Sequence, residues 1–362
     1  MGDAIAIQPD RDFLRRVLAS GGGDLKKCYQ CATCSAVCDL SQNSCTFPRK
    51  QMMEAQWGLK DRLAADPAVW LCYNCGDCTE RCPRGARPGD VLGAVRREVI
   101  RQLAFPRLLG ALVASPKALP LLFLLPALIF TAVWLWAPKP VPAVPFEFGS
   151  LFPASTLEPL FFAVSGFALL AFVVGIARFV RGLRESGNGP AGGIPDAVRD
   201  IATHRRFAEC ESSGLRLAHL LTFWGFVGLA LVGTIAGIGT MAGVLRTPLS
   251  LTSPLKLFAN ASAAVALVGV VLLLVRRTGD RIRRAGSTYF DWFFVMALAG
   301  VVFTGIASEL LRLARTEVMY AVYFVHLMLV FSLLLYAPYS KFAHLAYRTV
   351  ALAGIRKGNQ RS

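Results

Sequence analysis

Eight of the ten cysteines in this chain fall into two runs. Cys28, Cys31, Cys34 and Cys38 make the first, and Cys72, Cys75, Cys78 and Cys82 the second, each spaced C-x2-C-x2-C-x3-C. Three thiolates at every third residue can wrap one iron–sulfur cubane, while the fourth points the other way and completes a second one. On that logic Cys28, Cys31, Cys34 and Cys82 hold one 4Fe-4S cluster, and Cys72, Cys75, Cys78 and Cys38 hold the other. Zinc is the competing reading, but its sites normally separate two cysteine pairs. Asp39 follows Cys38 where Pro83 follows Cys82, a change that alters the charge beside one cluster and removes no ligand. Cys45 and Cys210 stand outside both runs and read as free thiols.

The second set of chemistry-bearing residues is His204, His219, His326 and His344, all in or beside apolar segments. On continuous helices the first two are ~22 Å apart along the axis and the last two ~27 Å. The two segments run antiparallel, so His204 is expected to meet His344 near the cytoplasmic face and His219 to meet His326 deeper in the layer. Two axial pairs on facing helices suit two b-type haems, because each iron takes a ligand from either side of its ring. Against this stands a charged stretch between the first two histidines, with Arg205, Arg206, Glu209, Glu211 and Arg216. A lipid-embedded helix tolerates such density poorly. Either the stretch is interfacial, or the helix breaks near Gly214 and the geometry fails, so two haems, one or none remain open.

The elements that must position these groups follow from composition. The chain has 362 residues, 54% apolar, with a mean hydropathy of +0.49, above what a soluble chain needs. Apolar blocks appear only after about residue 107, and six of them approach the ~20 residues that a ~30 Å hydrocarbon layer requires. They lie at about 118–137, 156–180, 215–243, 255–275, 288–311 and 318–340. Six Arg between Arg178 and Arg206, five in 276–284 and five Lys or Arg from Lys341 onward face only Lys139, Arg246, Arg312 and Arg315 on the opposite side. The positive-inside rule therefore puts both termini and the cysteine-bearing head in the cytoplasm. The N-terminus lacks the apolar core of a signal peptide, and the reducing compartment favours metal ligation over disulfides.

The net charge of +16 does not indicate nucleic acid, since much of the excess sits in the loops between apolar blocks. In the head, 11–19, 49–63 and roughly 91–103 have helical apolar spacing, and no strand alternation is present. The expected fold is all-α: a cytoplasmic ferredoxin domain over 1–107, an interfacial linker at 108–117, a six-span transmembrane helix bundle over 118–345, and a basic tail at 346–362. A quinone pocket is not legible. Glu309, at the outer end of the fifth span, is the candidate proton acceptor, with Asp291 weaker.

The two cysteine runs and the intervening FPRKQMMEAQWGLKDRL resemble the C subunit of heterodisulfide reductase. The six-span, four-histidine tail is similar to cytochrome b subunits of the respiratory nitrate reductase gamma type. Together they resemble the C subunit of quinone-interacting membrane-bound oxidoreductases. That resemblance implies a complex that joins menaquinone or menaquinol to adenylylsulfate reductase through flavin-bearing subunits resembling heterodisulfide reductase A. The same cofactors serving another partner, such as a heterodisulfide reductase or a soluble dehydrogenase, and a haem-free anchor with an iron–sulfur interaction module are the alternatives.

Overall fold

The computed structural model describes residues 8–41, 46–138, 145–187, 189, 193–204, 213–279 and 286–355. Cys45 and Cys210, like Arg205, Arg206, Glu209 and Glu211, lie outside the described residues. Among those described there is no strand: the fold is all-α, with short helices in the head and six long apolar helices behind it.

In the head, Arg11–Ala19 starts where the Asp10 carboxylate accepts from the Phe13 N–H at 2.8 Å, satisfying one of the open donors of the first turn. The single helix expected over 49–63 is two, Arg49–Gln56 and Lys60–Ala64. Gly58 separates them at φ 67, and a side chain there would meet the Asp10 carbonyl oxygen at 2.7 Å, so only glycine fits the turn. Pro88–Leu103 opens on proline at its first position and buries Val91, Val95 and Val99 on successive turns. The expected interfacial segment forms the helix Arg107–Ala114, whose Gly110 and Val113 are buried.

The six long helices are Leu119–Trp136, Ala154–Glu185, Ser213–Met241, Pro254–Gly279, Tyr289–Leu313 and Val318–Tyr336, called the first to sixth spans below. Each lies within a few residues of the stretch read from hydropathy. The first hides only Leu122, Pro126 and Phe130, one residue per turn, while Leu121, Leu124, Leu125 and Leu128 face outward. That is the pattern of a helix whose outer surface is solvated by lipid rather than water. The third and fourth spans pack so closely that a side chain at Gly225 would lie 2.6 Å from the Ala266 backbone. Small residues that let backbones approach are how membrane helices gain contact without a hydrophobic driving force. The sixth span packs on the fifth, second and first, the third on the fourth and second, so the two histidine-bearing spans make no extended contact.

Head and bundle share one apolar core. Trp70, Val91 and Val95 from the head join Phe179, Tyr336 and Tyr347 from the bundle. Arg178 donates to the Leu103 and Ala104 carbonyls at 3.1 and 2.6 Å, and Tyr339 donates to the Phe105 carbonyl at 2.5 Å. The described part of the region expected as a tail, 346–355, is helical instead, and 356–362 lie outside the described residues. Ala343–Ile355 buries Ala343, Tyr347, Ala351 and Leu352 against the head, an i, i+4 apolar face masked in the sequence by its basic neighbours.

Candidate functional site

The two cysteine runs fold alike. Each has left-handed backbone at equivalent places, Gln30 (φ 61) and Ala32 (φ 69) in the first, Asn74 (φ 55) and Gly76 (φ 104) in the second. A one-turn helix follows in both, Thr33–Ala36 and Asp77–Glu80. These reversals turn successive cysteines toward one centre and present N–H groups to sulfur: the Asn74 N–H lies 3.4 Å from Cys72 Sγ, the Ala86 N–H 3.4 Å from Cys82 Sγ.

Three sulfurs of each run gather with the last sulfur of the other. Cys28, Cys31, Cys34 and Cys82 line one cavity, with Tyr29, Arg49 and Arg84 at its walls. Burial pushes the Cys34 thiol up, and Cys28, Cys31 and Cys82 push it further. Cys38 is pushed up to about 12, first by burial, then by Cys72 and Cys75. Cys78 is raised by burial and by Cys72, Cys75 and Cys38. Thiols so crowded resist ionisation alone, and a positively charged metal core reverses that balance. Among the described residues no three His, Cys, Asp or Glu converge on one ion position. Ligands of a cubane sit on four separate irons and stand farther apart than those of a single ion, so four thiols around a shared cavity fit a cluster.

The histidines sit differently from the expected pairs. The helix Ile194–Thr203 ends at His204, whose backbone is left-handed at φ 48, and the third span is described from Ser213. The continuous helix that would hold His204 and His219 ~22 Å apart does not form, and their rings are 6.4 Å apart. The physical reason is the charged stretch between them, which a lipid-embedded helix would have to desolvate. His219 is within electrostatic reach of His344, as are Arg96, Arg348 and Lys341. Three histidines thus collect at the end of the bundle beside the head, and His326 stands apart against the fifth span, its Nδ1 3.1 Å from Thr304 Oγ1.

Trp70 connects the inner group to the cysteines. Its ring centroid is 6.4 Å from that of His344 and 4.8 Å from that of Tyr347, and it lies two residues before Cys72 in the chain. Arg96 donates to the Val69 and Cys72 carbonyls at 2.6 and 2.7 Å, and Arg348, from the last helix, to those of Trp70 and Cys72 at 3.2 and 3.5 Å. The indole N–H of Trp70 is buried and meets no acceptor. Leaving such a donor unmet costs about 1–3 kcal/mol. A porphyrin ligated at His344 carries carboxylates that would answer both this N–H and the nearby cations, so the residues present fit haem.

Glu309 is held by Lys256 at 3.1 Å and Arg312 at 2.9 Å, and Asp291 by Lys341 while it caps the Thr288 N–H at 3.0 Å. Both carboxylates have ionic partners. Glu158, in the second span, has no such partner among the described residues; its Oε2 lies 2.6 Å from where a side chain at Gly237 would start, and its charge acts on Tyr323. Sequence reading missed Trp70, Arg96, Arg348, Thr304 and Glu158, because their roles come from contacts between distant parts of the chain. The unpaired acid in an apolar block was the one signal available.

Comparison with known proteins decides the head. A family model described as a 4Fe-4S dicluster domain matches residues 24–86. Residues 24–86 are a 4Fe-4S dicluster domain. The C subunit of the H(2):CoB-CoM heterodisulfide,ferredoxin reductase of Methanothermobacter thermautotrophicus is 37% identical over 92 residues, 25% of this chain and 50% of that one. The C subunit of the ferredoxin:CoB-CoM heterodisulfide reductase of Methanosarcina mazei is 35% identical over 91 residues, 25% and 55% of the two chains. The chain spans about half the length of these relatives. Citrate utilization protein B of Escherichia coli is 28% identical over 310 residues, 78% of this chain and 79% of its own, so that likeness runs from head into bundle. No solved structure matches. The chain therefore joins a heterodisulfide reductase C-like iron–sulfur electron-transfer domain to a multi-pass membrane bundle.

Proposed function

We propose that the chain is the membrane electron-transfer subunit of a quinone-dependent oxidoreductase, linking the menaquinone pool to cytoplasmic flavoprotein subunits. The observation that carries this reading is the contact of Trp70 with His344, two residues before Cys72. It makes an unbroken packed route from a histidine group in the bundle to a cysteine group in the head. Bound haem and clusters supply one-electron chemistry; the chain's own residues ligate, orient and bury them. Cys28, Cys31, Cys34 and Cys82 take one 4Fe-4S cluster, and Cys72, Cys75, Cys78 and Cys38 the other. His219 and His344, with His204 beside them, take haem at the inner end, and His326 takes a second.

On this reading the cluster in the second run lies nearer the membrane. The one in the first run lies outermost, where Cys31 and Tyr29 are exposed, and meets the partner. Both termini face the cytoplasm. Glu309 carries its charge in an ion triad, and Glu158 is the carboxylate placed to take a proton from quinol. The likeness to quinone-interacting oxidoreductases makes adenylylsulfate reductase the downstream partner, through heterodisulfide reductase A-like subunits. A second reading draws on the relative aligned over 78% of this chain, and has the same wiring serve citrate utilisation; the partner is then a soluble dehydrogenase.

The test is to mix the purified, reconstituted chain with a menaquinol analogue and follow its absorbance in the stopped flow. Growth of a b-type band followed by cluster bleaching is expected. A chain that carries both cofactors and stays oxidised in excess quinol overturns the quinone assignment. Capture of one of the two partner types by the whole chain separates the two readings.

A further inference from the structure

His326 sits in a seat built by one face of the fifth span. Thr304 Oγ1 donates to the Gly300 carbonyl at 2.6 Å, so its proton is committed along its own helix. The same oxygen lies 3.1 Å from His326 Nδ1 and can there only accept. Beneath the ring is Gly305, where a side chain would begin 2.9 Å from His326 Cε1. Three residues of one helix, Gly300, Thr304 and Gly305, therefore define the ring's position and which nitrogen is protonated.

We infer that Thr304 is a positioning residue that holds His326 with its proton on Nδ1, leaving the Nε2 lone pair bare to ligate haem iron. This rests on the reading of His326 as a haem ligand. A histidine that ligates through one nitrogen needs its other ring N–H fixed by an acceptor, which sets both tautomer and orientation. An accepted Nδ1–H also makes the ring a stronger electron donor and favours ferric iron, so Thr304 sets the potential of this haem as well as its geometry. Gly305 contributes space: any larger residue displaces the ring from the Thr304 acceptor.

The experiment is a redox titration of the whole purified chain, followed by the b-type band and by low-temperature electron paramagnetic resonance. In Thr304→Val the acceptor is replaced by a methyl group of the same shape. One haem component is expected to titrate higher, with about a tenfold larger ratio of reduced to oxidised haem at fixed ambient potential, equal to 59 mV for one electron. Its g-values shift with it. Thr304→Ser, which keeps the hydroxyl, returns both to wild type, and the cluster signals are unchanged in either variant. His326→Ala loses that component altogether. If the wild-type chain has this component, His326→Ala removes it, and Thr304→Val titrates like wild type, the inference about Thr304 is wrong and the haem reading stands. If His326→Ala keeps every haem, or the wild type has none, the reading beneath it falls.

Discussion

On the proposed function the head and the bundle solve the same problem, holding metal centres, from opposite kinds of information. In the head, ligands come from two short runs whose spacing is local, and the fold needs only to bring two copies of one turn together. In the bundle, the proposed ligands are single histidines far apart in the chain, and their grouping is decided by where helices break and which spans touch. The difference teaches that a cluster site is written in spacing, whereas a haem site is written in packing.

The largest effect expected from this contrast is in the cysteines. Cys82→Ala should abolish the cluster of the first run and Cys38→Ala that of the second, because each closes the other run's cavity. Electron paramagnetic resonance of the reduced chain reads this directly, and loss of the variant's own-run signal would break the crossed assignment. Next, His344→Ala should remove b-type absorbance at the inner end while leaving both cluster signals, since the ligand belongs to the bundle alone. A spectrum identical to wild type would place the haem elsewhere.

Smaller effects probe the junction. Arg348→Ala strips the Trp70 and Cys72 carbonyls of a buried donor. A charged hydrogen bond of this kind is worth about 1.5–3 kcal/mol, so the head should unfold earlier and be cut faster by protease than in wild type. Equal cutting would show that the junction is held by apolar packing alone. Least of all, Asp10→Ala should cost about 1 kcal/mol through loss of a helix cap. The hydrogen bond from Lys60, then that from the Phe13 N–H, hold the Asp10 carboxyl below its ordinary range. Its folded value lies below its unfolded one, so the stabilisation is present above about pH 4 and lost as pH falls below. The gap between variant and wild type in thermal unfolding should therefore close in acid.

How much was legible follows the same divide. Hydropathy located all six spans to within a few residues, because a membrane helix must be apolar along its whole length. Cysteine spacing named the dicluster head. The helix at 49–63 was read as continuous because apolar period alone does not reveal that Gly58 must turn left-handed. The His204–His219 separation failed for a related reason: spacing gives distance only while a helix lasts, and this one ends at His204. Trp70 had no signal, since its importance comes from His344, Tyr347 and Arg348, all more than two hundred residues away. Glu309 was chosen for its place at the outer end of a span, and the ion triad that occupies it, built partly from Lys256 on another span, appears only in three dimensions.

The claim on which the account depends is that one chain ligates both kinds of centre and connects them through Trp70. Its most direct test is quantification of iron, acid-labile sulfide and haem in the intact purified chain, together with a reduced-minus-oxidised spectrum. About eight non-haem irons with matching sulfide, and a b-type band that loses its inner-end component in His344→Ala while the His326 component stays, are the predicted result. Iron and sulfide in that amount with no porphyrin band at all would contradict it, leaving an iron–sulfur head on a bundle that only anchors it.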